Sequence, residues 1–193
     1  MKPEEAVELF DVDFKRIELA KERQRAVWEF REPDKLPILL HGKLTKEQER
    51  IPSFNLKECF YDKEKMFMTG LRQMAACANA GSDAVPSIRA NLGCGVVPTV
   101  LGVKSEVFED RMPWVKKHLT REEILSLSPE DVEVRGDMAR AVDYMAYFQE
   151  KLNGRGYVFC ADIQGPFDTA HLVFGDGIFY ALYDDPEFVH HLL

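Results

Sequence analysis

Through the first thirty residues Phe14, Ile17, Val27 and Phe30 make an irregular apolar stripe among charges, which predicts a charged, mostly exposed helix. Glu32-Pro33-Asp34-Lys35 ends it, because proline cannot continue the hydrogen-bond ladder. Leu36-Pro37-Ile38-Leu39-Leu40 is then apolar on both faces up to His41-Gly42, the pattern of a strand inside a parallel sheet. A polar loop from Lys43 to Lys57 precedes Phe67, Leu71, Met74 and Ala78, which recur at helical spacing, with Gly81 placed for the left-handed position after a helix. Ser82 to Arg89 reads as a weaker strand containing Pro86, and glycines and prolines make Asn91 to Val103 an irregular excursion.

Two helix starts come next. Thr120-Arg121-Glu122-Glu123 is a capping box, and Ser128-Pro129-Glu130-Asp131 puts a cap residue before proline at the first helical position. Met138, Ala141, Val142, Met145, Phe148 and Leu152 form an amphipathic helix closed by Gly154, whose stripe from Asp137 to Leu152 is core. Tyr157 to Asp162 is a third strand. It breaks at Gly165-Pro166 into a helix carrying Ala170, Leu172, Val173 and Phe174, and Asp185-Pro186-Glu187-Phe188 caps a last helix that reaches Leu192 and Leu193. Strands alternating with amphipathic helices predict βαβ units around a parallel sheet. Three strands are fewer than the eight of a closed barrel, so the chain reads as the first part of one.

Composition narrows the chemistry. The formal net charge of −8 and the lack of a basic stripe along the sequence argue against nucleic acid as a partner. Cys59, Cys77, Cys94 and Cys160 are scattered without a C-x-x-C pair, which suits reduced thiols in a cytoplasmic protein, with Cys160 as a small apolar core residue. No apolar run approaches the roughly 20 residues of a membrane span, and MKPEEAVELF lacks the apolar region of a secretory signal.

Gly165-Pro166-Phe167-Asp168-Thr169-Ala170, then Gly175, then Asp185-Pro186-Glu187-Phe188-Val189-His190-His191-Leu192-Leu193 resemble the uroporphyrinogen decarboxylase superfamily, whose members read Gly-Pro-(aromatic)-Thr-x-Ala and Asp-Pro-Glu-x-Val-His-x-Leu-Leu. Asp34-Lys35-Leu36-Pro37 and Pro113-Trp114 leading to Leu127-Ser128-Pro129-Glu130-Asp131 are similar to the family as well. The resemblance implies an α/β fold, an incomplete TIM-type (α/β)8 barrel, with a helical extension over residues 1–35 and the N-terminal portion of the barrel over 36–193. It also places His190-His191 in a helix outside the barrel, as structural residues.

The superfamily contains the decarboxylase itself and methyltransferases that move corrinoid-borne methyl groups to thiols. The decarboxylase's Arg-Gln-Ala-Gly-Arg segment corresponds here to Leu40-His41-Gly42-Lys43, and its Phe-Ser-Asp to Pro86-Ser87-Ile88-Arg89-Ala90-Asn91, so its carboxylate-binding arginines and pyrrole-binding acid are missing. The resemblance therefore implies methyl transfer to a thiol or related acceptor first. A lyase of porphyrin biosynthesis comes second, and a non-catalytic half-barrel associating through its open edge third. The partners implied are a small tetrapyrrole or a corrinoid protein. The methyltransferases hold zinc through His-x-Cys and a later cysteine. No His-x-Cys occurs in this sequence, so the chain alone is expected to bind no cofactor, with zinc reserved for the parent protein.

Such barrels carry their chemistry at the C-terminal ends of strands, which nominates His41, Arg89, Asn91 and Gln164 for substrate binding and Asp162 for catalysis. For Asp162 a second role stays open, that of cap to the helix beginning at Gly165-Pro166.

Overall fold

The computed structural model describes residues 1–128 and 132–193, so the predicted helix start at Ser128-Pro129-Glu130-Asp131 lies outside the described residues. The chain divides into two units, Met1–Arg89 with Met145–Phe159, and Ala90–Tyr144 with Cys160–Leu193.

In the first unit the charged N-terminal stretch is two helices, α1 (Pro3–Val7) and α2 (Phe14–Trp28), where the sequence reads as one. Asp13 splits them by capping α2, its carboxylate accepting from the backbone of Arg16 at 3.0 Å. Proline does not end α2. Phe30 turns left-handed at φ 53°, and Arg31 N–H closes back on the Ala26 carbonyl at 2.8 Å. Further along come α3 (Leu56–Tyr61) and α4 (Lys63–Asn79), the latter capped by Asp62 through the amides of Glu64 and Lys65. Gly81 sits just beyond α4 at φ 60°, as its position predicts.

The expected strand at Leu36–Leu40 is an extended segment without a ladder, and its side chains are more than half exposed (Leu36 75%, Leu40 56%) rather than buried in a sheet. Its backbone bonds to the turn at Ser82-Asp83. Ile38 N–H donates to Asp83 Oδ2 at 3.0 Å, Asp83 N–H to the Ile38 carbonyl at 2.8 Å, and Leu40 N–H to Ser82 Oγ at 3.0 Å. Side chains thus take the places of a neighbouring strand, and Pro37 has no N–H to offer one. Asp83 is itself buried. The Ile38 amide and then Arg23, 2.8 Å away, hold its carboxyl below the usual range. The same guanidinium grips Asp34 with two bonds, at 2.7 and 2.8 Å.

β1 (Ser87–Arg89) and β4 (Tyr157–Phe159) pair in parallel, Ile88 opposite Val158. The buried Ile88 lies against α4 at Gly70, where a Cβ would come within 2.5 Å of Ile88 Cδ1. Phe67 of α4 and Phe148 of α6 (Gly136–Leu152) are fully buried with ring centroids 5.6 Å apart. The α6 stripe is core at Ala141, Tyr144, Phe148 and Leu152, while Val142, expected in it, is half exposed.

The second unit contains an antiparallel hairpin, β2 (Lys104–Glu106) with β3 (Trp114–Lys117), which the sequence reading missed. Helices α5 (Arg121–Leu125), α7 (Pro166–Phe174), α8 (Gly177–Asp184) and α9 (Pro186–Leu192) complete it with the first half of α6. Its core joins Val103, Ile124, Ala170, Val173, Ile178 and Phe188. The Thr120 capping box forms on α5 as predicted, and Asp185 caps α9 while pairing with Arg121.

The architecture is therefore a helix-rich mixed α/β fold. Its described strands make two separate two-stranded sheets, one parallel and one antiparallel, so the parallel sheet expected from the sequence is represented by the β1–β4 pair. Among the described residues no helix is long and apolar enough to cross a membrane.

The Gly70–Ile88 contact supplies a test of the packing. Helix propensity alone would make Gly70→Ala stabilising by about 1 kcal/mol. Overpacking of the buried isoleucine is expected to reverse the sign, with a net loss of ~1–2 kcal/mol in urea unfolding. Ile88→Val, which removes Cδ1, should make the double variant less damaged than the sum of the two singles. Additive losses would mean that the two residues do not press on one another.

Candidate functional site

The parallel strands β1 and β4 end at Arg89 and Phe159, and the chain runs on from them into Asn91–Gly95 and Cys160–Gly165, both in the second unit. Asp162 in the latter is half-buried. Its capping role is not realised. The N-cap of α7 is Gly165, Pro166 occupies the first turn, and no side chain caps the helix. Thr169 instead closes the first turn, its N–H donating to the Gly165 carbonyl at 2.9 Å and its hydroxyl making a long contact of 3.5 Å to the Gln164 carbonyl. Asp162 makes no hydrogen bond or ion pair with any described residue.

The group that does feel Asp162 is a thiol. Cys94 is half-buried, and burial first, then the Asp162 carboxylate, push the thiol up from its ordinary value. Two glycines hold Cys94 in place. Gly93 is left-handed at φ 76°, with room for a Cβ only 3.2 Å from Pro113 Cδ, and a Cβ on Gly95 would strike Ser105 Oγ at 2.6 Å. Asn91 Nδ2 reaches Met112 Sδ at 3.7 Å. The loop is thus pressed onto the β2–β3 hairpin at both ends, with the thiol between.

Of the residues expected from sequence, Asn91, Asp162 and Gln164 fall in this unit, whereas His41 and Arg89 belong to the other. His41 is exposed at the end of the extended Leu36–Leu40 segment, and Arg89 is the half-buried last residue of β1. Cys94 was missed, although the flanking Gly93 and Gly95 signal a backbone that approaches its surroundings closely. Cys160, read as core, is exposed instead, as is Phe159 before it at the end of β4.

A second acid was also absorbed into the core reading. Asp137, in the first turn of α6, is 7% exposed, and burial raises its carboxyl above the usual range against a smaller opposing effect of Arg140, whose Nε lies 3.7 Å away. Its N–H donates to Thr99 Oγ1 at 3.0 Å. Nearby, across Gly95, the Ser105 hydroxyl is buried without a hydrogen-bond partner among the described residues.

Zinc, which the family resemblance implies for a parent protein, needs three or more donors in one place. Among the described residues no three His, Cys, Asp or Glu side chains gather as a metal site. His190 and His191 are both exposed in the last turn of α9. The described residues do not fit a zinc ion by themselves.

No protein-family model matches the chain. No curated protein matches it either. Among solved structures it is similar to a methyltransferase from Methanosarcina mazei, with a TM-score of 0.58 and 14% identity over 90% of this chain and 51% of that one. At that identity the likeness is one of fold. The chain spans about half the length of that structure.

Two measurements test this geometry. Because the Asp162 charge raises the Cys94 pKa, Asp162→Asn should enlarge the thiolate fraction and speed Cys94 alkylation by iodoacetamide at constant pH, read by peptide mass spectrometry in a Cys160→Ser background. An unchanged rate would separate the two side chains. For Asp137 the folded-state pKa is the raised one, so its protonated form favours the fold, and stability falls as pH rises from the ordinary carboxylate value through the raised one. Asp137→Asn is therefore expected to flatten urea stability across that window and to gain on the parent chain at neutral pH. Parallel pH profiles for the two proteins would contradict a raised pKa.

Proposed function

We propose that the chain is the N-terminal portion of a TIM-type barrel of the uroporphyrinogen decarboxylase superfamily, preceded by a helical extension over residues 1–35, and that the parent protein transfers a corrinoid-borne methyl group to a thiol or related acceptor. The observation that carries this reading is the likeness of fold to a methyltransferase over 90% of the chain. The Gly165-Pro166 helix start and the Asp185-capped last helix, on which the family resemblance rests, both form. The lyase alternative lacks support at Leu40-His41-Gly42-Lys43 and at Pro86 to Asn91, which hold neither the paired arginines nor the acid that a poly-carboxylate tetrapyrrole would need.

In such a transfer the cobalt–carbon bond breaks with its electron pair left on cobalt, a carbon–sulfur bond forms, and the acceptor thiol gives up its proton. Asp162 suits the last of these. It is a half-buried carboxylate in the loop after a parallel strand, committed neither to a cap nor to an ion pair among the described residues. It takes the acceptor's proton or holds the acceptor by a charge-assisted hydrogen bond. Asn91 and Gln164 offer neutral donors and acceptors in the same unit for orienting the acceptor. The corrinoid cobalt belongs to the methyl donor, and no step is assigned to a zinc ion.

The test uses the full reading frame that contains this chain, with methylcobalamin as donor and coenzyme M or 2-mercaptoethanol as acceptor. Demethylation is followed by visible absorbance, and the thioether product by mass spectrometry. Thioether formation is expected, and Asp162→Asn should slow it by at least the ~10²-fold typical of a positioned proton-transfer group. The variant's stability should stay within about 0.5 kcal/mol, since the side chain caps nothing. Decarboxylation of uroporphyrinogen by the same protein would replace this reading with the lyase. No turnover of either substrate would leave a non-catalytic binding module.

A further inference from the structure

The outer face of the β2–β3 hairpin is built differently from the inner one. Cross-strand partners in an antiparallel pair share a face. Ser105 and Val115 are paired, and they point inward, Val115 packing on the apolar core and the Ser105 hydroxyl buried. The flanking pairs, Glu106 with Trp114 and Lys104 with Lys117, therefore lie outward, and an irregularity between Lys104 and Ser105 adds Lys116 beside them. All five are exposed, the Trp114 ring at 58%.

The charge on this face is ordered along the hairpin. Its open end carries Lys104, Lys116 and Lys117, and among the described residues none of the three is ion-paired. Two of them, Lys104 and Lys117, stand directly opposite one another, which costs stability in an isolated hairpin. The loop that closes it carries Glu109 and Asp110, with Arg111 folded back over the Phe108 ring at 3.9 Å, and Glu106 shares a rung with Trp114. Trp114 lies between the two ends. A face that is basic at one end, acidic at the other and aromatic in the middle is complementary to itself when turned by half a revolution.

We propose that this face joins two copies of the chain about a two-fold axis. The lysine end of each hairpin lies over the acidic end of the other, and the two Trp114 rings meet near the axis. Tryptophan at the centre with charges around it is the composition of an interface hot spot and its rim. One hairpin face is smaller than the ~800 Å² per partner of a stable interface, so the dimer is in concentration-dependent exchange and weakens with salt. This inference is independent of the proposed reaction.

The test is sedimentation of the chain over a range of concentrations, at low and at high salt, together with tryptophan emission. The chain has two tryptophans, Trp28 and Trp114, so a Trp28→Phe variant reports on Trp114 alone. Dimer formation at low salt, with a blue shift of that emission, is expected. Lys116→Glu with Lys117→Glu should weaken association at least tenfold, and so should Glu109→Lys with Asp110→Lys. Mixing those two variants should restore dimers, because each then supplies the charge that the other needs. A monomer at every concentration would overturn the proposal, as would a dimer indifferent to the charge reversals or a mixture that stays monomeric. So would a monomer whose Trp114 emission shifts only on adding an acidic peptide or a short DNA duplex, since the face would then serve a different occupant.

Discussion

The pairing of Ser87–Arg89 with Tyr157–Phe159 is the constraint from which the chain leaves for both loops of the candidate site. It is three residues long, joins segments about 70 positions apart in the chain, and is parallel, so both strands deliver the chain at the same edge of the pair. So short a ladder contributes little by itself. It is held by the α4 helix, whose Gly70 leaves room for Ile88 where any larger residue would press on it. One strand hands on to the loop with Asn91 and Cys94, and the other to the loop with Asp162 and Gln164.

Beyond the end of each strand the chain is shaped by glycines as well as by hydrogen bonds. Gly93 and Gly95 let the loop lie against Pro113 and Ser105, and Gly165 takes the cap position of α7 without contributing a side chain. That last choice matters most for function. A serine or aspartate at the cap would satisfy one of the helix's free amides. With glycine there, those amides remain for solvent or a ligand, and the acid three residues earlier is not drawn into the helix end. Its charge acts instead on a thiol, which it makes harder to ionise. Cys94 is therefore a thiol whose ionisation is disfavoured, not a pre-formed thiolate nucleophile.

Helices were legible in the sequence where the signal is local. The Thr120 capping box, the Gly81 stop, the α6 stripe and the Gly165-Pro166 start depend on a few adjacent residues, and each is found. Strands were less so. Leu36–Leu40 has the composition of a buried strand, but its backbone is bonded to the turn at Ser82-Asp83, mostly to the two side chains, and the preference of that turn for this segment is not encoded within it. The β2–β3 hairpin escaped notice because Lys-Ser-Glu and Trp-Val-Lys-Lys lack the alternating apolar pattern of a half-buried strand, their outer positions being charged. For the site, Asp162 could be nominated from the break after β4, whereas its escape from the cap role, and the effect of its charge on Cys94, emerge only once two distant loops are brought into one unit.

The buried polar groups around Gly95 tie the loop to the rest of its unit. Asp137 begins the helix that supplies core to both units, and its amide is fastened to Thr99, whose hydroxyl also donates to the Val96 carbonyl at 3.1 Å. The Ser105 hydroxyl, buried and without a partner among the described residues, lies against the same glycine, as does the Asp137 carboxylate. A segment bounded by a buried acid, whose carboxyl burial holds above the usual range, and an unsatisfied hydroxyl is costly to keep dry, and a single ordered water bonded to both would relieve the cost. The loop that carries Asn91 and Cys94 would then rest on a hydrated polar seam rather than on apolar packing. Small changes in the protonation of Asp137 would be felt at Gly95, the residue after Cys94. The position of the candidate site is in this way tied to the charge state of an acid that takes no part in it.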